Sequence, residues 1–175
     1  MKALVVNLFG GPGSGKSTGA AYIFSRLKMD GINAELVTEY AKDMVWEENY
    51  NALSYQPCVF GIQAYRIERC ADKVDVIVTD SPSILSIIYN KNEKISESLN
   101  NLVMDNFNDY NNVSYFLERA KPYCEIGRMQ TESEADDLSR SILDVLDKYN
   151  IPYSRVTGNL DGYSRIINDI KERLV

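Results

Sequence analysis

Seven consecutive positions, Ala3-Leu4-Val5-Val6-Asn7-Leu8-Phe9, are apolar except for one Asn and lack the alternation of a half-solvated strand. Such a run fits a parallel strand covered on both faces. Immediately downstream, Ala20, Ile23, Phe24 and Leu27 recur at helical spacing, and that pattern stops at Asp30-Gly31. The change of period then repeats along the chain. Ala34 to Thr38 reads as a second strand, a polar-faced helix follows between about Pro57 and Ala71, and Val74 to Asp80 makes a third strand that Ser81-Pro82 ends. Helical stretches come next, one from Ile84 to Tyr89 and one with Leu99, Leu102, Val103 and Phe107 on one face. The polar run Asp105 to Asn112 closes the second as a fraying end. Val113 to Leu117 gives a fourth strand. Thr131-Glu132-Ser133-Glu134 is a capping-box pattern, opening a long helix that turns Ala135, Leu138, Ile142, Val145, Leu146 and Tyr149 inward. Tyr153 to Val156 is the fifth strand, and Tyr163, Ile166, Ile167, Ile170 and Leu174 mark the inner face of the last helix. Strands alternating with helices predict an α/β domain of three layers, with helices on both faces of the sheet.

The 175 residues fit one domain, 1–175, with no linker or repeat to suggest a second. Apolar runs are too short to span a bilayer, and the first residues lead straight into a strand instead of through the zones of a signal peptide. A soluble cytoplasmic chain with no membrane partner is expected. Cys58, Cys70 and Cys124 are odd in number and form no C-x-x-C pair, so neither a disulfide framework nor a zinc site is supported. A net charge of −6 argues against a sequence-independent grip on nucleic acid, though a local basic groove stays compatible with it. Histidine is absent, which removes the commonest general base and the commonest metal ligand together. Any proton acceptor must then be a carboxylate.

Against this background one segment carries specific chemistry. Gly10-Gly11-Pro12-Gly13-Ser14-Gly15-Lys16-Ser17 spells the phosphate-binding loop G-x-x-x-x-G-K-[ST], placed between the first strand and the first helix, where its geometry requires it. Gly11, Gly13 and Gly15 let backbone N–H groups converge on an anion, and Ser14 and Thr18 belong to the same cradle. The helix turns its positive dipole end toward the phosphates, Lys16 adds a point charge, and Ser17 can place a hydroxyl on Mg²⁺. Asp80, ending an apolar strand, suits a carboxylate that orders the metal's water shell, and no second acid follows it as a motor or unfoldase would need.

Glu39 stands at the carboxyl end of the second strand, where open α/β sheets place their ligands, with Asp43 one helical turn later. It is the candidate base. Gln63 and Arg66, at i and i+3 on the following helix, offer an amide for a base edge and a guanidinium for a phosphate or hydroxyl. Arg119, Lys121 and Arg128 lie in a loop of approximately 118–131, placed like a lid whose cations neutralise charge on a transferring phosphoryl group. Asn90-Lys91-Asn92-Glu93 approaches the guanine reader N-K-x-D but carries Glu for Asp, and Asp80-Ser81-Pro82-Ser83 lacks the glycine of the switch D-x-x-G. A GTPase is set aside on those grounds.

Gly10 to Thr18, Glu39-Tyr40-Ala41-Lys42, Val78-Thr79-Asp80, and Gly127-Arg128-Met129-Gln130-Thr131-Glu132 with Glu134-Ala135 together resemble the motifs of small P-loop nucleoside and nucleotide kinases. The likeness is strongest to the ribosylnicotinamide-kinase-like group and its virus-encoded relatives. It implies an ATP-dependent phosphotransferase using Mg²⁺, with a five-stranded parallel sheet in the order 2-3-1-4-5. It also implies a carboxylate near the acceptor hydroxyl at Glu39 or Asp80, acceptor contacts that include Tyr40, lid arginines at Arg119 and Arg128, and an adenine bordered by Gly158 and Asn159. One departure is visible: Glu125-Ile126-Gly127-Arg128 shifts the lid Arg against its Gly. The acceptor could be a free nucleoside, a nucleoside monophosphate or a hydroxymethylated pyrimidine within DNA. An acceptor-free NTPase switch is the competing class, and a homodimer is carried as an open arrangement.

Overall fold

A computed structural model describes residues 2–122 and 131–174. Five strands form one sheet: β1 (Leu4–Phe9), β2 (Ala34–Val37), β3 (Val76–Thr79), β4 (Asn111–Glu118) and β5 (Ser154–Thr157). All four neighbouring pairs are parallel and the order is β2-β3-β1-β4-β5, as the kinase resemblance implied. The helices are α1 (Lys16–Met29), α2 (Tyr40–Trp46), α3 (Tyr50–Ser54), α4 (Gln56–Glu68), α5 (Leu85–Tyr89), α6 (Ser96–Asn108), α7 (Glu132–Lys148) and α8 (Leu160–Leu174), with a short 3-10 turn at Glu93–Ile95.

All six residues of β1 are buried, the property the unbroken apolar run predicted. Leu4, Val6 and Leu8 face one way and pack with Ile23 and Leu27 of α1 and Ile166 and Ile170 of α8. Phe9 joins Phe60, Ile84, Val103, Phe116, Ile142 and Leu146 in the opposite layer, contributed by the central helices and α7. Complete burial of Ile23, Leu27, Ile166 and Ile170 stabilises the first layer by roughly 2 kcal/mol per side chain. Among the described residues no helix is long and apolar enough to cross a membrane.

Several boundaries shift from the sequence expectation. The polar run Asp105 to Asn112 is not a fraying end: α6 continues through Asn108 and β4 already begins at Asn111. Asn112 closes the gap by donating its amide to the carbonyls of Phe107 at 2.5 Å and Tyr110 at 3.2 Å, while its Oδ1 accepts from Asn7 at 2.8 Å. Polar side chains that read as a loop thus serve as the cap of α6 and the start of β4. The helix expected to reach Ala71 ends at Glu68 instead. The capping box is present as predicted, with Thr131 Oγ1 accepting from Glu134 N at 3.3 Å and the Glu134 carboxylate accepting from Thr131 N at 2.8 Å.

Candidate functional site

Strand β1 delivers the chain into the loop Gly10–Gly15, and α1 starts at Lys16. Gly15 has φ +94°, which β-carbon-bearing residues avoid, and a Cβ there would also collide with the Tyr163 hydroxyl. Lys16 Nζ donates to the Gly10 and Gly11 carbonyls at 2.6 and 3.1 Å, so its ammonium lies over the loop. The parallel register sets the other partners. Asn7 pairs with Thr79 and Val37 with Thr79, so Asp80 and the segment Thr38-Glu39 emerge at the same edge as the loop.

Asp80 is 6% exposed and its Oδ1 has no hydrogen-bond partner among the described residues. A buried carboxylate oxygen left in that state, lining one cleft with Ser17, has the chemistry of a water-shell ligand for Mg²⁺. Ser17, Asp80 and Lys16 line one cleft, so the residues present fit a nucleotide with its metal. Glu39 occupies the N-cap of α2, and burial raises its pKa above the ordinary carboxylate value. Lys16 opposes that shift and Asp80 adds to it, which puts the three charges within electrostatic reach of one another. Tyr89 lines the same cleft, its phenol pushed up to about 12, first by burial and then by the Glu39 carboxylate.

A family model described as an AAA domain matches residues 5–162. The chain belongs to this AAA-domain family. No curated protein matches it. Among solved structures, NadR protein in complex with NR is similar over 97% of this chain and 50% of its own, at 19% identity and a TM-score of 0.71. This AAA domain therefore spans about half the length of that NadR chain. Thymidylate kinase from Ehrlichia chaffeensis is similar over 100% of both chains, at 15% identity and a TM-score of 0.64. These likenesses establish that the fold of this AAA domain is the one found in P-loop kinases.

The remaining residues singled out from sequence fall into three groups. Gln63 lines the cleft, yet both ends of its amide are used: Oε1 accepts from Tyr40 N at 2.9 Å and Nε2 donates to the Thr38 carbonyl at 3.3 Å. Arg66 pairs with Asp43 at 2.6 Å and donates to the Thr38 carbonyl at 3.3 Å, with its guanidinium 5.2 Å from the centre of the Tyr40 ring. Neither Arg66 nor Tyr40 lines the cleft; they stand behind Glu39 and brace the start of α2. The cause is Asp43, whose carboxylate one turn into α2 captures the guanidinium.

On the far side of the loop, Arg119 is paired with Glu132 at 3.0 Å and Asp136 at 2.8 Å, in the first turns of α7. It borders a smaller cavity beside Pro12 and Ser14. Arg128, with Gly127, Met129 and Gln130, lies outside the described residues. Gly158 packs against the loop, where a Cβ would overlap the Ser14 carbonyl oxygen. Asn159 accepts from Gly162 N at 2.9 Å through its side chain and so fastens the first turn of α8. Gln56, Tyr89 and Tyr163 were missed as site residues. The first two fall where no motif marks the sequence, and Tyr163 reads only as an inward residue of α8 until the tertiary contact is seen.

Proposed function

We propose that this AAA domain binds ATP with Mg²⁺ and moves the γ-phosphoryl group to a hydroxyl or phosphate of a small nucleoside- or nucleotide-type acceptor. The observation that carries the reading is a single cleft of about 660 Å³ that holds Lys16, Glu39 and Asp80 and continues past Glu39 along Val45, Leu53, Val59 and Leu85. A hydrolytic switch needs space for water beyond its phosphates, whereas this cleft has the size and the apolar wall of a ligand site. Two structural neighbours support it, one named a thymidylate kinase and the other solved with NR.

In this reading Gly11, Gly13, Ser14, Gly15 and Thr18 shape the phosphate cradle, and Gly158 and Asn159 lie where the adenine would border them. Mg²⁺ held by Ser17 and, through its water shell, by Asp80 would draw negative charge from the phosphate oxygens. Lys16 neutralises charge on the same oxygens. Glu39 accepts the hydrogen bond of the incoming hydroxyl and takes its proton as the acceptor oxygen bonds to the γ-phosphorus. The bond from that phosphorus to the bridging oxygen breaks, and ADP leaves. The raised proton affinity of Glu39 makes it a stronger base than an exposed carboxylate. Arg119 and Arg128 are the cations this reading assigns to the charge on the transferring phosphoryl group. The acidic net charge favours a small acceptor over a pyrimidine within DNA.

Incubation with γ-labelled ATP and a panel of nucleosides, monophosphates and single- and double-stranded oligonucleotides tests the reading, with an acceptor-free control. Label on a nucleoside or monophosphate is expected. Label on DNA alone would move the acceptor to the polymer, and phosphate release without transfer would make the domain an NTPase.

A further inference from the structure

Gln56 opens α4, is 6% exposed and lines the cleft, and nothing in the phosphotransfer reading uses it. Its Nε2 donates to the Leu53 carbonyl at 3.2 Å. Because a carbonyl only accepts, that bond fixes which end of the amide is nitrogen. The other end, Oε1, is buried and has no hydrogen-bond partner among the described residues. Folded proteins rarely leave a buried amide oxygen in that condition without a functional reason. The cleft wall carries the apolar side chains Val45, Leu53, Val59 and Leu85 as well as the hydroxyls of Ser83, Ser86 and Tyr89. Gln63, the next amide along the wall, has both its ends committed.

Position along α4 says which part of an acceptor meets this oxygen. Gln56 and Gln63 are seven residues apart, two turns on one face, about 10 Å along the helix axis. Gln63 holds the backbone of Tyr40, next to Glu39. Gln56 therefore stands about two helical turns along α4 from the amide that holds the backbone next to Glu39, the proposed base, a separation suited to the ribose at one end and the nucleobase at the other. Resting on the phosphotransfer reading, we propose that Gln56 Oε1 selects acceptors whose ring carries an N–H donor, an exocyclic amine or a carboxamide, seated between the apolar walls. A site built to pair such a donor rejects the analogue lacking it, because the amide oxygen then stays buried and unpaired.

Matched ribonucleosides test this: adenosine against purine riboside, cytidine against pyrimidin-2-one riboside, and nicotinamide riboside against the pyridinium riboside without its carboxamide. Each is assayed for kcat/KM with ATP and Mg²⁺. The wild-type domain is expected to prefer the donor-bearing member of at least one pair by tenfold or more, and Gln56→Leu to bring that ratio within about twofold of one. Equal use of both members of every pair by the wild type overturns the inference without any variant, so a Gln56→Leu chain that fails to fold leaves it falsifiable. An undiminished ratio in folded Gln56→Leu or Gln56→Met also overturns it. Transfer to no nucleoside and to no nucleoside monophosphate, with ATP still bound, overturns the phosphotransfer reading beneath it and is recognisable as that separate failure. Where only monophosphates accept, the same matched pairs are run as their 5′-monophosphates.

Discussion

The Tyr163 hydroxyl donates to the Gly15 carbonyl at 3.0 Å, joining the last helix to the phosphate loop across 148 positions of sequence. The ring of Tyr163 lies where a Cβ on Gly19 would sit, so loop, α1 and α8 are locked at one point. Loop geometry in this domain is therefore a tertiary property as well as a local one.

Removing that bond while keeping the ring isolates it. Tyr163→Phe should lose about 1 kcal/mol of stability, the usual net value of one hydrogen bond, read as a lower urea midpoint at unchanged slope. ATP affinity should fall a few-fold, measured by calorimetry with Mg²⁺ present. A variant with unchanged midpoint and affinity would show that ring packing alone positions the loop.

Lys16→Ala removes the ammonium group that lies over the loop and that the proposed function sets against the phosphates. Phosphotransfer should drop by at least 10²-fold, on the scale of losing one preorganised electrostatic contact, while the melting temperature stays within a few degrees. The relevant measurement is labelled-product formation under saturating ATP; full activity would discredit the site.

Glu39 carries a pH prediction whose sign follows from its environment. Burial, its largest perturbation, raises its proton affinity above that of an unfolded-state carboxylate. Stability linked to this group is therefore present at low pH and is lost as pH rises through the folded value, so Glu39→Gln should stabilise the domain at neutral pH and the gain should shrink toward acid. Activity runs the other way, because a base works only when deprotonated. The rate should rise with pH along an acid limb displaced above the usual carboxylate range, and Glu39→Gln should flatten that limb and lower kcat by 10²- to 10⁴-fold. A pH–rate profile in which Glu39→Gln stays within about threefold of wild type removes Glu39 from the chemistry.

What could be read in the sequence was whatever is specified within a few residues. The loop Gly10–Ser17, the strand-ending Asp80, the capping box at Thr131 and Glu134, and the buried run of β1 each declare themselves through local spacing. Arg66 did not, because its fate depends on Asp43, 23 positions away and on another helix. Asn159 reads equally as a ligand contact or a turn residue, and only the Gly162 N–H decides that its side chain is a cap. Gln56 was invisible for a different reason: an unpaired oxygen is a property of the assembled interior, and no spacing of residue types encodes it.

The Asp43–Arg66 pair gives a prediction that separates bracing from direct contact. The two side chains are 45% and 24% exposed, so Asp43→Asn should cost only about 0.5–1 kcal/mol of stability. Because the pair stands behind Tyr40 instead of in the cleft, its loss should act by loosening the start of α2. That would raise the acceptor KM several-fold and leave ATP affinity within twofold. If Arg66 instead met the acceptor directly, Arg66→Lys would abolish transfer while Asp43→Asn left the acceptor KM unchanged.

Gly158 tests whether the strap between β5 and α8 supports the loop. Its amide donates to the Glu118 carbonyl at 2.8 Å, which fixes the backbone beside β4, and its α-carbon faces the Ser14 carbonyl so closely that no Cβ fits. The obstacle is main chain on both sides, so neither partner can swing away as a flexible side chain would. Gly158→Ala must then push α8 outward or distort Gly13–Gly15, with a loss of about 1–3 kcal/mol typical of an overpacked interior. Distortion of the loop predicts a further signature, a fall in ATP affinity larger than that of Tyr163→Phe. Calorimetry on the two variants side by side decides: weaker binding in Gly158→Ala places the strap in the nucleotide site, whereas a purely stability-linked defect with native affinity confines Gly158 to the packing of α8.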